Sequence, residues 1–241
     1  MGQLGLNFAH PRQIAPSHSK NIMDKVFLVH GLWMSGYACL YWRHAVRQAG
    51  MQPTIYSYHT VLQHLDNNAD RLFHAVQRDG LDAPRLHFVG HSMGGIVIMH
   101  MLRRHGHKIP NLGRVVLAAS PIRGSYCAFK GASWPVVGKV VGYSILEWDG
   151  IVKDDYPPNL EVGTLVGSRQ IGLGRIVGGL PQPSDGTVRV TETELDGATD
   201  RLVLHVNHSE MLFAPAAAQQ IVHFLQHGKF WHRSSNHKIS A

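Results

Sequence analysis

The feature that constrains this chain most is an alternation. Short apolar runs of strand length give way repeatedly to stretches whose apolar residues recur at helical spacing, with glycines at the changeovers. Residues 25–31 read as a buried strand ending at a glycine turn. Ala38, Tyr41, Trp42, Ala45, Val46 and Ala49 then make one helix face, and Gly50 stands where that helix should stop. Residues 53–58 form a second strand candidate; Leu62, Leu65, Ala69, Leu72, Phe73 and Val76 repeat the helical spacing up to Gly80. A third strand is expected at 86–90, a helix at 96–104 and a fourth strand at 114–119. Arg103, Arg104 and His105 suit the negative end of that helix. Two more strands are expected at 162–166 and 202–206. A closing helix at 215–226 has Pro215 in its first turn and Gly228 beyond its end. Strands that alternate with helices need crossover connections, which predicts a mainly parallel sheet of about six strands covered on both faces.

The alternation breaks between about residues 121 and 160, where a small cap insertion is expected. The organisation that follows is a flexible leader over 1–24, one domain over 25–230 and a polar tail over 231–241. A length of 241 residues with 44% hydrophobic and 16% charged residues suits one domain with a sizeable core. The net charge of +7 comes from 23 basic and 16 acidic residues scattered along the chain. That pattern reads as a basic solvated surface, a candidate for peripheral membrane contact together with the apolar stretch at residues 136–146, and no nucleic-acid motif accompanies it. Two cysteines, Cys39 and Cys127, make no disulfide framework. No apolar run approaches the ~18 residues of a membrane span. The first 21 residues hold no continuous apolar stretch of secretory type, so the expectation is a cytoplasmic protein.

Gly90-His91-Ser92-Met93-Gly94 fits G-x-S-x-G. In a chain with 25 glycines such a match arises by chance, but this one lies between a predicted strand and a predicted helix. A serine on a sharp strand-to-helix turn projects its hydroxyl above the sheet edge. Side chains two positions to either side would collide there, so glycine occupies both. The helix that follows aims unpaired backbone N–H groups at an oxyanion developing beside the serine.

With these residues the chain resembles the α/β-hydrolase superfamily, and within it the lipase and esterase branch. Three other segments carry the likeness: Val29-His30-Gly31-Leu32-Trp33, Ala119-Ser120-Pro121-Ile122-Arg123-Gly124-Ser125 and Ser184-Asp185-Gly186-Thr187-Val188. It spans about residues 25–230. The fold it implies is a compact three-layer α/β hydrolase with a short insertion. The chemistry it implies is a triad in the order Ser, Asp, His. Ser92 is then the nucleophile and His208, between the last strand and the last helix, the base. Asp185, in an Asp-Gly turn, is the acid. Asp149, Asp154 and Asp155 are rivals for the acid; Asp196 and Asp200 are weaker ones. His205 is read as a packed core histidine inside a strand. The backbone N–H groups of Leu32 and Met93 are expected to form the oxyanion hole. Trp33 and His91 are expected to border the substrate, with a structural role equally open for Trp33.

No cofactor is implied. His100, His105 and His107 sit at and past a helix end without a matched ligand set, so no metal is expected. The expected activity is hydrolysis of a small-molecule or lipid carboxylic ester. Thioesterase, amidase or acyltransferase chemistry would use the same triad. A non-catalytic binding module on the same fold is the reading from a different class.

Overall fold

Runs rich in β-branched and bulky apolar residues make strands because both faces of a central strand are covered. A computed structural model describes residues 23–133, 143–150, 155–175, 179–181 and 183–232. The strands are β1 (Lys25–Val29), β2 (Gln52–Tyr56), β3 (Leu86–His91), β4 (Leu112–Ala118), β5 (Val162–Gly167) and β6 (Asp200–Leu204). Every residue of β3 and β5 is buried, as befits interior positions in the sheet. The helices are α1 (Leu40–Gln48), α2 (Leu65–Asp79), α3 (Met93–His105), α4 (Tyr126–Ala132), α5 (Tyr143–Leu146) and α6 (Pro215–His227).

All strand pairs are parallel, in the order β2-β1-β3-β4-β5-β6. The side-chain period of two divides each strand between two cores. Phe27 and Val29 of β1, Leu86 and Phe88 of β3, and Val115 and Leu117 of β4 face α2 and α3. Val26 and Leu28, Val89, and Val116 and Ala118 face α1 and α6. Burying one such side chain contributes about 1.5–3 kcal/mol, so the sheet is held from both sides. The chain leaves β1 in one direction to make β2, then returns past β1 to make β3. The C-terminal ends of β1 and β3 therefore flank the point where the winding reverses, where a crevice opens above an open α/β sheet.

The turn at the end of β3 is tight. Ser92 has φ 52° and ψ −123°, and α3 begins at the next residue, three positions before the expected start. A Cβ on Gly90 would lie 2.5 Å from the Gly95 backbone. A Cβ on Gly94 would meet the carbonyl oxygen of Val29 and lie 2.6 Å from that of His30. Glycine is thus required by the approach of α3 to β1, since backbone atoms cannot step aside.

Some boundaries differ from expectation. The last strand ends at Leu204, two residues early, and His205 beyond it is exposed instead of packed in the core. The reason is position: β6 is an edge strand, and its residues are only partly covered. A 3-10 turn, Gly36–Cys39, precedes α1. The insertion contributes α4 and α5, and residues 134–142 and 151–154 fall outside the described residues. The same holds for residues 1–22 of the expected leader and 233–241 of the expected tail. The body is tied at both ends. Asp24 receives the Arg85 guanidinium at 2.9 Å, and the Phe230 N–H donates to Asp200 at 2.7 Å. Among the described residues no helix is long and apolar enough to cross a membrane.

Gly50 also has a positive φ, 79°, but open space surrounds its missing Cβ. Gly50→Ala should therefore cost only about 1 kcal/mol. Gly94→Ala should cost about 3 kcal/mol or more, a fall in Tm of roughly 6–12 °C. Thermal unfolding of the two variants checks this; equal losses would mean that space above β1 is not the constraint.

Candidate active site

Ser92, Asp185 and His208 come from three segments that the sheet brings to one edge. Ser92 stands on the β3–α3 turn, its N–H donating to the Ala118 carbonyl at 2.9 Å. Asp185 lies on the long connection between β5 and β6, and His208 on the turn after β6. Ser92 and His208 are each 7% exposed and Asp185 is 1% exposed. The serine and histidine thus reach a surface while the carboxylate is enclosed behind them.

Asp185 is oriented by its own turn. Its Oδ1 accepts the N–H groups of Thr187 at 2.9 Å and Val188 at 2.7 Å. Its Oδ2 accepts the Nδ1–H of His208 at 2.7 Å. With Nδ1 donating, Nε2 of His208 keeps its lone pair. The backbone repeats the tie, since the His208 N–H donates to the Asp185 carbonyl at 3.0 Å.

His91 is wholly buried, with its ring turned away from solvent. Its Nε2–H donates to the His208 carbonyl at 3.0 Å, and the two rings lie 4.7 Å apart. The residue expected to border the substrate is thus a strut that links the Ser92 turn to the His208 turn. Burial holds the His91 imidazole down at about 3, with the neighbouring His208 acting in the same direction, so it stays neutral. Beneath it Trp42 of α1 packs edge-on to His91 and donates its indole N–H to the Met211 carbonyl at 3.1 Å. Asn207 and Glu210 brace the same turn reciprocally, each N–H donating to the other's side chain at 2.9 Å.

The turn after β1 is fixed in a similar way. His30 is buried; its Nδ1–H donates to the Gly31 carbonyl at 3.0 Å, and Tyr58 donates its hydroxyl to the His30 carbonyl at 2.9 Å. The two rings stack at 4.8 Å. A Cβ on Gly31 would lie 3.1 Å from that of Ser92, so this turn passes directly beside the serine. Leu32 follows, half-buried. Trp33 has φ 57°, is half-exposed and donates its N–H to Thr60 Oγ1 at 3.2 Å. Met93 opens α3, so its N–H is among the four without an intrahelical acceptor.

The rival acids are engaged elsewhere. Asp149 and Asp155 pair with Arg103, Asp196 pairs with Arg123, and Asp200 holds Phe230 and His232. Asp154 lies outside the described residues. Cys39 is buried, and burial pushes its thiol up to about 12. Among the described residues no three His, Cys, Asp or Glu side chains are grouped to hold a metal ion. Sequence reasoning missed the roles of His30, Tyr58 and Trp42. Their partners lie 28 and 169 residues away, and no local spacing signals them.

The buried histidines have a consequence for acid stability. Burial lowers His30, and His87 further down β3, in the same direction as His91. Each folded-state value lies below the unfolded one, so the unfolded chain binds more protons in acid. Stability is full above about pH 6.5 and falls below it, by about 1.4 kcal/mol per pH unit for each such histidine until its folded-state value is reached. Urea midpoints should therefore drop steadily from about pH 6.5 to about pH 4. His91→Gln, whose amide can donate to the same carbonyl, should shallow that slope. An unchanged slope would mean that His91 takes up its proton without unfolding.

A family model described as the alpha/beta hydrolase family matches residues 26–233. No curated protein matches the sequence. Solved structures share the fold at low identity. The mature Bacillus licheniformis lipase BlEst2 aligns at 19% identity over 87% of this chain and 94% of its own, with a TM-score of 0.64. Phospholipase PlaB from Legionella pneumophila aligns at 15% identity over 86% of this chain and 60% of its own, TM-score 0.64. YbtT, a type II thioesterase of the yersiniabactin pathway, aligns at 16% identity over 89% of this chain and 97% of its own, TM-score 0.58. At these identities the likeness is one of fold, whereas the family match runs through nearly the whole described body: the chain belongs to the alpha/beta hydrolase family.

Proposed function

We propose that the protein is a serine hydrolase that cleaves carboxylic esters through an acyl-enzyme on Ser92. The observation that carries this reading is the 2.7 Å contact between His208 Nδ1 and a carboxylate itself fixed by two backbone N–H groups, on a turn that His91 ties to that of Ser92, a serine held at φ 52°. A serine hydroxyl is a weak nucleophile at neutral pH and needs a base beside it. The base needs a partner that fixes its tautomer and stabilises the imidazolium.

In this mechanism Ser92 Oγ attacks the ester carbonyl carbon while His208 Nε2 takes the hydroxyl proton. Charge builds on the carbonyl oxygen, and the N–H groups of Met93 and Leu32 receive it. The tetrahedral intermediate collapses and the C–O bond to the alcohol breaks; the leaving oxygen takes the proton from His208. Water then gives a proton to His208 and attacks the acyl carbon. Release of the acid returns the proton to Ser92. Asp185 holds the imidazole throughout and stays unprotonated.

Lipase, phospholipase and thioesterase all occur among the fold's solved relatives. Carboxylic esters are the first choice because the sequence likeness is to lipases and esterases.

Hydrolysis of a chromogenic ester series from short to long acyl chains tests the proposal. Ser92→Ala should abolish turnover. Asp185→Asn should lower kcat by about 10³–10⁴-fold with an unchanged near-UV spectrum, because the amide no longer enforces the tautomer. Thioester cleavage without ester cleavage would replace the substrate class. No turnover of esters or thioesters by a folded chain would favour a binding module.

A further inference from the structure

Between Asp24 and Asp66 the sequence contains no acidic residue. That stretch builds β1, α1, β2 and the turns that pass beside Ser92. Its outward side is both apolar and basic. Tyr37 is 80% exposed, Leu62 76%, Trp33 50% and Leu40 45%. On α1, Trp42 and Val46 face the core. Leu40, Arg43 and Arg47 are exposed at spacings of three and four, a single stripe along the helix. Among the described residues neither arginine has a carboxylate partner. Arg103, Arg104 and Arg123, by contrast, are each paired with Asp or Glu.

The turns of this stretch are tied into one band, which α1 continues through Leu40. The Trp33 N–H donates to Thr60 Oγ1 at 3.2 Å, which sets Trp33 beside the turn that carries Leu62. The Gly36 N–H donates to Ser57 Oγ at 3.0 Å, tying the Tyr37 turn to the same segment. On the far side the Tyr143 N–H donates to the Val61 carbonyl at 3.3 Å. The band adjoins Ser92, because Gly31, two residues before Trp33, lies against it.

We propose that this band docks the protein on an anionic phospholipid surface, with Trp33, Tyr37, Leu40 and Leu62 entering the headgroup region and Arg43 and Arg47 meeting lipid phosphates. The charge pattern selects the partner. Unpaired guanidiniums on a stretch of chain that carries no acidic residue attract a negative surface, and aromatic side chains favour the water–lipid boundary. Apolar residues of this size left exposed beside arginines are what an interfacial element presents. Docking is separate from ester cleavage: it concerns where the chain sits, and it holds or fails whatever Ser92 does.

The test is co-flotation of the full chain with vesicles of phosphatidylcholine alone, or of phosphatidylcholine mixed with phosphatidylglycerol. Carrying Ser92→Ala in every sample removes turnover from the readout. The chain should float with the anionic vesicles and be released as salt rises. Arg43→Glu with Arg47→Glu should weaken that binding by at least about tenfold. The milder pair Arg43→Gln with Arg47→Gln should move it in the same direction. Arg71→Glu with Lys108→Glu makes the same change in net charge on the opposite face of the sheet and should leave binding within about twofold. Tyr37→Ser with Leu62→Ser should lower it at unchanged charge. All these positions are exposed, so near-UV spectra should match the parent. Equal losses from the two glutamate pairs would overturn the proposal in favour of diffuse charge attraction. Absence of binding to anionic vesicles, or equal binding to both kinds, would end it.

Discussion

The structure hangs on the close approach of α3 to the end of β1. The two meet because the chain turns from β3 into α3 within one residue, at Ser92, and because Gly94 leaves no side chain between α3 and β1, as Gly90 leaves none between β3 and α3. This contact fixes three things together. It forces the serine into a sparsely populated backbone region, it sets the first N–H groups of α3 beside the serine, and it brings Gly31 against His91 and Ser92. The parallel register places Val29 opposite Gly90, so strand and turn end at the same height. A sheet wound in this order opens a crevice at that height whatever chemistry it hosts.

Around this contact the buried histidines work as neutral structural members. His91 joins the Ser92 turn to the His208 turn, and His30 with Tyr58 shapes the turn after β1. Each uses an imidazole as a rigid ring with one defined donor. Among the buried histidines of the described residues, His208 combines a carboxylate partner with a slight access to solvent.

Much of this was legible in the sequence, for identifiable reasons. Interior strands announce themselves because both faces are covered, so β1, β3, β4 and β5 appear as continuous apolar runs. The edge strand β6 carries a weaker signal. Its limits were misjudged by two residues, and His205 was assigned to a core it lies beyond. The glycines of the Ser92 turn mark it because no other residue fits, whereas the α3 start at Met93 has no apolar periodicity of its own to reveal it. The candidate residues Ser92, Asp185 and His208 were readable from motif and chain order. Ties such as Trp42 to Met211 and Tyr58 to His30 were not, since they join distant residues through a backbone carbonyl that carries no sequence information.

Asp185 and His208 are joined twice, by side chains and by main chain. The second bond does not depend on which side chain stands at position 185. Loop placement and carboxylate chemistry are therefore inherited independently. A lineage can exchange Asp185 for Asn by one nucleotide change, keep the histidine turn where it is, and regain the acid by the reverse step. The main-chain bond thus lets the side chain at position 185 vary while the histidine turn keeps its place.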